Sequence, residues 1–220
     1  RRHGRARDAP SKRATSMGRS SCGACLLLGL FASASPSDGP DCVAASIPRV
    51  VHRTSIASDF SLLSRRVVML AATWEALSPA VDYRHANDTQ ARSFVCSDTV
   101  LTEAFPKLCA AYDRLPPVSR PDVWRAAALY VHGGVATDVD VALRQPLEAW
   151  LPQRCGLVVG LEDEHVARWL VAARPRHGVL KRALDVVSSG GGVDWTRAVE
   201  VEVLGALITD ALLWLDAFGS

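Results

Sequence analysis

The sequence lacks three features that would each point to a special class of protein. It has no internal repeat, its formal net charge is only +2 over 220 residues, and its apolar stretch at residues 22–34 is too short to span a bilayer comfortably. With 49% hydrophobic and 22% charged residues, the composition is that of a globular protein rather than a disordered or fibrous one. We therefore expect one folded domain.

The basic residues are concentrated near the amino terminus. Within the first nineteen residues lie Arg1, Arg2, Arg5, Arg7, Lys12, Arg13 and Arg19. Without them the rest of the chain is acidic overall, which argues against a general nucleic-acid-binding surface. We therefore expect no nucleic-acid partner.

Residues 1–34 have the pattern of a basic extension followed by a secretory signal. A positive flank precedes the apolar stretch CGACLLLGLFASA, in which Ala32 and Ala34 form an A-x-A arrangement. Met17 stands where such a signal would begin, so the residues before it are interpreted as upstream sequence. The alternative to cleavage is a type II signal anchor that holds the protein in a membrane. Both interpretations predict entry into the secretory pathway.

A polar linker containing Pro and Gly, residues 35–46, separates this segment from the predicted domain at residues 47–220. If the signal is removed, the chain keeps four cysteines: Cys42, Cys96, Cys109 and Cys155. In an oxidising compartment four cysteines form one or two disulfides, and three full pairings exist. Four buried free thiols are the alternative.

Helix and strand patterns alternate along the predicted domain. Strands are expected at residues 47–54, 82–89 and 156–162, and helices at 58–79, 121–132 and 178–189, with a broken helix over 91–115. This alternation over about 170 residues predicts an α/β layered domain.

Asp138 and Asp140 form the most informative pair. They lie one residue apart in a run that reads as a buried strand, in which Val135, Thr137 and Val139 would face the core and both carboxylates the opposite side. Two carboxylates on one strand face repel each other, and a hard divalent cation would relieve that repulsion. A solvated strand end without a ligand is the alternative interpretation.

A second pair of charged residues precedes this run. The helix predicted over 121–132 has Ser119 as its N-cap candidate and stops at Gly133. Asp122 and Arg125 lie three residues apart and therefore share one face. That face leads towards the Gly-Gly turn, so the pair could stand beside the two carboxylates. The alternative is an ordinary surface ion pair.

In this order, the segments IPRVVHRT, RPDVWRAAALYVHGGVATDVDVALRQPL and GLVVGLEDE closely resemble glycosyltransferase family 32, whose members carry a DXD sugar-binding region. The resemblance covers residues 47 to about 190. It implies a GT-A type, Rossmann-like fold with a mixed sheet and helices on both faces. A nucleotide-sugar donor would lie at the carboxyl ends of the strands, where open α/β sheets bind their ligands.

The resemblance also implies roles for individual residues. Asp140 would bind a divalent metal, Mn²⁺ or Mg²⁺, and Asp138 would contact both the metal shell and the donor ribose or sugar. Asp122 and Arg125 would hydrogen-bond hydroxyls of the donor sugar, and His52 would lie near the nucleotide. The full set of expected substrate-binding residues is His52, Asp122, Arg125, Gly133, Gly134 and Asp138, and the expected catalytic residues are Asp138 and Asp140.

The activity implied is transfer of a hexose, mannose favoured, with retention of configuration. The donor would be GDP-mannose or a UDP-hexose, and the acceptor a glycan or glycolipid. Only Glu162 or Asp163 offers a further carboxylate as nucleophile, so a front-face departure without a nucleophile is favoured. Related enzymes are held in the Golgi lumen, which predicts a Golgi-anchored or secreted protein.

Two alternatives remain open. A degenerate homologue would bind nucleotide sugar or glycan without turnover. A phosphatase of the haloacid dehalogenase type also uses a D-x-D strand, but that strand should open the domain. Two departures from the family pattern bear on the first alternative: Ala136 replaces the usual Tyr, and the carboxyl-terminal Thr-Gly-Pro motif is not found, as in a truncated domain.

Overall fold

The structure of the protein is a computed structural model. The structure describes residues 46–55, 62–151, 156–162 and 165–190, with two further short strands at 24–28 and 31–33. Several predicted features lie outside the described residues: Met17, residues 35–45 of the linker, Cys42, Cys155, Asp163 and residues 191–220.

The strands form one mixed sheet of seven in the order β2-β1-β6-β7-β5-β3-β4. Their bounds are β1 Ala24–Leu28, β2 Phe31–Ser33, β3 Val50–Ser55, β4 Asp82–Asn87, β5 Gly134–Thr137, β6 Leu157–Glu162 and β7 His165–Ala173. β3 runs parallel to both β4 and β5, whereas β7 lies antiparallel between β5 and β6. The carboxyl ends of β3, β4, β5 and β6 therefore share one edge of the sheet.

Seven α-helices lie within the described residues. They are α1 Arg65–Leu77, α2 Asp88–Ser97, α3 Thr99–Ala104, α4 Leu108–Arg114, α5 Arg120–His132, α6 Leu147–Trp150 and α7 Gly178–Ser188. A short 3₁₀ turn, Pro117–Ser119, leads into α5. None of the described helices is both long and apolar enough to cross a membrane.

Successive strand residues belong alternately to two separate hydrophobic cores, one on each face of the sheet. Val135 and Ala172 belong to the core that contains Trp74 of α1, whereas Ala136 and Val171 belong to the core formed with α2, α4, α5 and α7. This is the period-two alternation of a sheet buried on both sides. The predicted α/β fold class, with a mixed sheet and helices on both faces, is confirmed.

The sequence pattern misplaced or missed some elements. The helix predicted over 58–79 begins only at Arg65, because the side chain of Ser64 caps it by accepting the Val67 N–H. α5 begins at Arg120 as its Pro signal indicates, but Ser119 makes no side-chain cap. β7 and α6 were not predicted.

The amino-terminal strands were not predicted either. Residues 24–28, which lie inside the apolar stretch, pair in parallel with β6, and residues 31–33 pair with them at the edge of the sheet. The predicted signal or anchor, the linker and the domain bounds remain predictions.

A disulfide joins Cys96 at the end of α2 to Cys109 in α4. The two cysteines lie 13 positions apart in the sequence, and their bond links two helices on the same face of the sheet. Of the cysteine alternatives, one disulfide is therefore formed within the described residues.

Candidate functional site

The two aspartates of the D-x-D pair lie at the carboxyl edge of the sheet, but not on a strand. β5 ends at Thr137, and Val139 and Asp140 form a turn. The backbone N–H of Asp138 donates to the Trp169 carbonyl at 3.1 Å, which is the last hydrogen bond to β7 before the chain turns. The prediction that both carboxylates share one strand face is therefore wrong, although both still follow a buried strand.

The physical reason for this error is that β5 is buried on both faces. Val135, Ala136 and Thr137 are at most 1% exposed, so the strand has no polar face for an aspartate to occupy. The apolar residues that follow Asp138 continue the alternating pattern in the sequence, although the strand has already ended at Thr137. The carboxylates appear where the strand ends and solvent begins.

Arg125 connects α5 to the end of β5. Its guanidinium forms ion pairs with Asp122 in the same helix and with Asp138 after the strand. The Arg125 and Asp122 side chains are only 8% and 12% exposed, whereas Asp138 is 41% exposed. The expectation that the Asp-x-x-Arg pair stands beside the carboxylates agrees with this position, and the alternative of an ordinary surface pair does not.

A planar guanidinium suits this arrangement because its fork of donors can serve two carboxylates at once. One further donor, the Nε–H of Arg125, is buried without a hydrogen-bond partner among the described residues. A buried donor without a partner is costly, so the site favours a ligand oxygen that completes the set.

Gly133 and Gly134 lie at the opposite end of β5 from Asp138. Their φ angles are +65° and +103°, a region that L side chains rarely adopt. A Cβ on Gly133 would stand 2.6 Å from Pro175 Cδ, and one on Gly134 would collide with the backbone of Val50. Both positions therefore require glycine for close packing of the turn between α5 and β5. Their expected substrate contact stays a prediction.

His52 is also placed in the interior. It is 2% exposed, and its Nε2 lies 2.8 Å from the carbonyl of Gly133. Since a carbonyl only accepts, Nε2 carries the proton and donates. Burial lowers the pKa of His52 to about 4, although the bond to Gly133 opposes that shift. His52 therefore fixes the α5–β5 turn as a neutral ring, and its expected place near the nucleotide stays a prediction.

The last candidate carboxylate is Glu162. It ends β6 at the same edge of the sheet as Asp138, while its neighbour Asp163 lies outside the described residues. The position is therefore at the correct edge for a role near the donor.

One group of three potential metal ligands occurs among the described residues, and it includes neither Asp138 nor Asp140. It consists of Cys96, Cys109 and Asp113, and its two sulfurs are joined as a disulfide. A disulfide offers no thiolate to a metal. An ion held by Asp138 and Asp140 would thus need further oxygen ligands from a substrate or from water, which is how Mg²⁺ is usually bound in phosphate-handling sites.

Sequence reasoning missed a groove near the start of α5, lined in part by Arg92, Tyr112 and Arg120. These residues come from three helices, and no spacing along the chain relates them. Packing of the helices alone brings them together.

Comparison with known proteins gives a family match over part of the chain. Residues 64–157 match the family model described as "Glycosyltransferase sugar-binding region containing DXD motif", which includes Asp122, Arg125, Asp138 and Asp140. The match ends before most of β6 and before β7.

Two curated relatives are initiation-specific alpha-1,6-mannosyltransferases. The protein from Schizosaccharomyces pombe is 26% identical over 156 residues, covering 62% of this chain and 38% of the relative. The protein from Candida albicans is 26% identical over 128 residues, covering 53% and 32%. The chain thus spans roughly a third of the length of these relatives.

A solved structure titled PaToxG Glycosyltransferase has a similar fold. Its TM-score is 0.56 at 15% sequence identity, over 77% of this chain and 75% of that chain. At this identity the likeness extends to the fold alone, which supports the GT-A-like α/β architecture. Residues 64–157, which carry the D-x-D pair at the sheet edge, are thus similar to the sugar-binding region of glycosyltransferases with a DXD motif.

Proposed function

We propose that the protein transfers a hexose, mannose favoured, from a nucleotide sugar to a glycan or glycolipid acceptor with retention of configuration. The observation that carries this proposal is the contact of Arg125 with both Asp122 and Asp138 at the carboxyl edge of the sheet. The names of the two relatives, both mannosyltransferases, support mannose as the hexose. GDP-mannose is therefore the first donor to test, with a UDP-hexose as the second.

Asp122 and Arg125 would hold the donor sugar. Both side chains are buried and already oriented by their mutual ion pair, so neither loses much rotamer freedom when it hydrogen-bonds a sugar hydroxyl. Arg125 offers donors to hydroxyl oxygens, and Asp122 accepts from hydroxyl protons. Together they would fix the sugar ring against the end of β5.

The residues at the end of β5 fit a divalent metal, Mn²⁺ or Mg²⁺. Asp138 and Asp140 supply carboxylate oxygens, the ligands that such hard ions prefer, and both side chains are accessible from solvent. When bound, such an ion supplies a Lewis acid for the charge that grows on the leaving diphosphate. Arg125 keeps the carboxylate of Asp138 at the end of the strand.

Retention is proposed to occur at the front face of the sugar. The bond from the anomeric carbon to the diphosphate oxygen breaks, the acceptor oxygen bonds the same face, and the acceptor proton passes to the departing diphosphate. This route needs no protein nucleophile. Glu162, at the same edge, is the candidate for the alternative double-displacement route.

The first prediction concerns Asp140→Asn in the full chain. We expect the variant to fold as the parent does, because the residue is exposed, and to lose Mn²⁺-dependent binding of GDP-mannose. Calorimetric titration of the donor with and without Mn²⁺ measures this. Asp82→Asn is the matched control, because Asp82 is an exposed aspartate at the amino end of β4, and it should bind as the parent does.

Equal Mn²⁺ affinity in Asp140→Asn and the parent would contradict the metal assignment. Hydrolysis of GDP-mannose by the parent separates an enzyme from the alternative, a degenerate homologue. A parent that binds the donor in the presence of Mn²⁺ but never releases GDP and mannose would be the non-catalytic binder.

We also propose that the protein works in the secretory pathway, secreted or anchored in the Golgi lumen. The disulfide between Cys96 and Cys109 supports an oxidising compartment, because such bonds are rare in the cytosol. The acceptor would then be a glycan or glycolipid of that lumen.

A further inference from the structure

A groove runs between α2, α4 and the start of α5, with a volume of about 460 Å³. This volume lies within the range of about 300 to 1,000 Å³ typical of small-molecule sites. The side chains that line the groove include Asp88, Thr89, Arg92, Ser93, Tyr112 and Arg120.

The walls of the groove are fixed before any ligand binds. Arg92 donates from Nε and Nη2 to the two carboxylate oxygens of Asp113, at 2.7 and 2.8 Å. Arg120 donates to the backbone carbonyls of Leu115 and Asp113 at 3.2 and 3.1 Å, and its guanidinium lies 5.9 Å from the ring centroid of Tyr112. The disulfide at Cys96 joins α2 to α4 along this groove.

Tyr112 provides an unused polar group. Burial raises the pKa of Tyr112 to about 12, so its hydroxyl stays protonated at neutral pH. Within the described part of the chain, no protein group forms a hydrogen bond with this hydroxyl. A tyrosine combines an aromatic surface with a polar group, which suits a ligand that is itself both apolar on one side and hydroxylated.

The charges of the groove favour a neutral ligand. The Asp113 carboxylate pairs with Arg92, and the groove lining holds one further carboxylate, Asp88, and one further guanidinium, Arg120, so these four formal charges balance. The remaining lining groups include the hydroxyls of Thr89 and Ser93. Hydroxyl and carboxylate oxygens with guanidinium donors match the hydroxyls of a carbohydrate, whereas a polyanion would need an excess of positive charge.

The first turns of α2 and α5, which line the groove, lie at the same edge of the sheet as the D-x-D pair. α2 begins at Asp88, directly after β4, so its first turn lies at the carboxyl edge of the sheet. Arg120 begins α5 and stands two residues before Asp122, which reaches the same edge. A ligand in the groove would therefore extend towards the sugar-transfer site.

We propose that this groove binds sugar residues of a neutral glycan acceptor. Its identification as the acceptor rests on the proposed function, whereas its affinity for a neutral oligosaccharide rests on the groove alone.

The test titrates α-1,6-mannotriose into the full chain and measures its affinity by calorimetry. Ser93→Trp places a large ring in the groove from an exposed position on α2 and should weaken mannotriose binding at least tenfold. Tyr112→Phe removes only the hydroxyl and should weaken it about two- to tenfold, the equivalent of one hydrogen bond. Ala72→Trp is the matched control, since Ala72 is exposed on α1 at the opposite face of the sheet.

The proposal is overturned if the parent does not bind mannotriose, or if Ser93→Trp binds it as tightly as Ala72→Trp. Mn²⁺-dependent GDP-mannose binding, measured on the same variants, separates this result from the proposed function. If Ser93→Trp retains donor binding and binds mannotriose unchanged, the groove is not the acceptor site, whereas the proposed transferase function stands. If Ser93→Trp loses mannotriose binding and the parent binds no donor, the groove is supported as a glycan site, and the proposed transferase function is contradicted.

Discussion

Arg125 illustrates what a sequence can predict at the scale of single residues. The three-residue spacing from Asp122 places both side chains on one helix face, and the Gly-Gly turn directs that face towards the next strand. The structure adds the contact that spacing could not give, namely the ion pair to Asp138. That contact depends on where β5 ends, which is set by β7 and not by the local pattern.

His52 shows the limit of residue-level reasoning. The family resemblance implied a place near the nucleotide for His52, at the carboxyl end of a strand, but gave no packing partners for its ring. The fold packs that ring against His132 and Trp124, with ring centroids 5.9 and 6.4 Å away. Burial of this kind depends on a helix some 80 residues further along the chain, and no local signal reveals it.

The buried state of His52 predicts an acid-sensitive stability. Its pKa is about 4 in the folded protein and about 6.5 when unfolded, so between these pH values the unfolded chain binds more protons. The contribution of His52 to stability is therefore complete above about pH 6.5 and is lost as pH falls towards 4. From pH 7 to pH 5 this loss amounts to about 2 kcal/mol.

Urea unfolding of the parent and of His52→Gln at the two pH values measures this loss. The glutamine amide can still donate to the Gly133 carbonyl but does not titrate. We expect its loss of unfolding free energy to be smaller than the parent's by about 2 kcal/mol. His177, whose pKa burial also lowers to about 4, leaves a similar pH dependence in both proteins. Equal losses in the two proteins would show that His52 does not titrate as its burial requires.

At the scale of elements, clear start and stop signals allowed prediction of α5, whereas an apolar run without such signals concealed β7. α5 was predicted because Pro121 stands near its start and Gly133 at its end. β7 was missed because its last residues, Val171, Ala172 and Ala173, are all buried and show no polar alternation. A strand buried on both faces cannot be told from a helix segment by periodicity alone.

The turn between α5 and β5 predicts a strong effect of a small substitution. In Gly134→Ala the new methyl group would collide with the Val50 backbone in a φ region unfavourable to alanine. We expect a loss of about 3 kcal/mol or more in unfolding free energy, from the left-handed conformation together with overpacking. Denaturant unfolding measures it.

Gly178→Ala is the matched control for that substitution. Gly178 begins α7, and a Cβ there would meet nothing within 4 Å. Alanine should therefore leave the stability unchanged or raise it by up to about 1 kcal/mol. Similar losses in the two variants would mean that the turn does not need its glycine.

At the scale of the whole molecule, the alternation of patterns predicted the α/β layering, while assembly of the groove was beyond reach. Each strand and helix is encoded locally, so their order indicates the layers. The groove joins side chains from α2, α4 and α5, and its shape depends on how these helices pack. The disulfide was foreseen as a class of bond, but not as the pair Cys96 and Cys109.

The compartment is tested on the whole protein from its native host. If the chain enters the secretory pathway, Cys96 and Cys109 should resist alkylation until a reductant is added. Mass spectrometry of the amino terminus should find a start near Ser35 after cleavage, or retention of residues 22–34 in an anchored form. An unprocessed start together with reduced Cys96 and Cys109 would contradict secretory entry.

The antiparallel position of β7 has a consequence for synthesis on the ribosome. β5 has one neighbour, β3, that is made before it, and another, β7, that is made after it. Until residues 165–173 have left the ribosomal tunnel, the nascent chain holds a strand destined for burial with one of its backbone edges open. Open apolar edges invite pairing with other chains. We therefore expect the nascent protein to depend on chaperones most strongly while Asp122, Arg125 and Asp138 are already made and β7 is not.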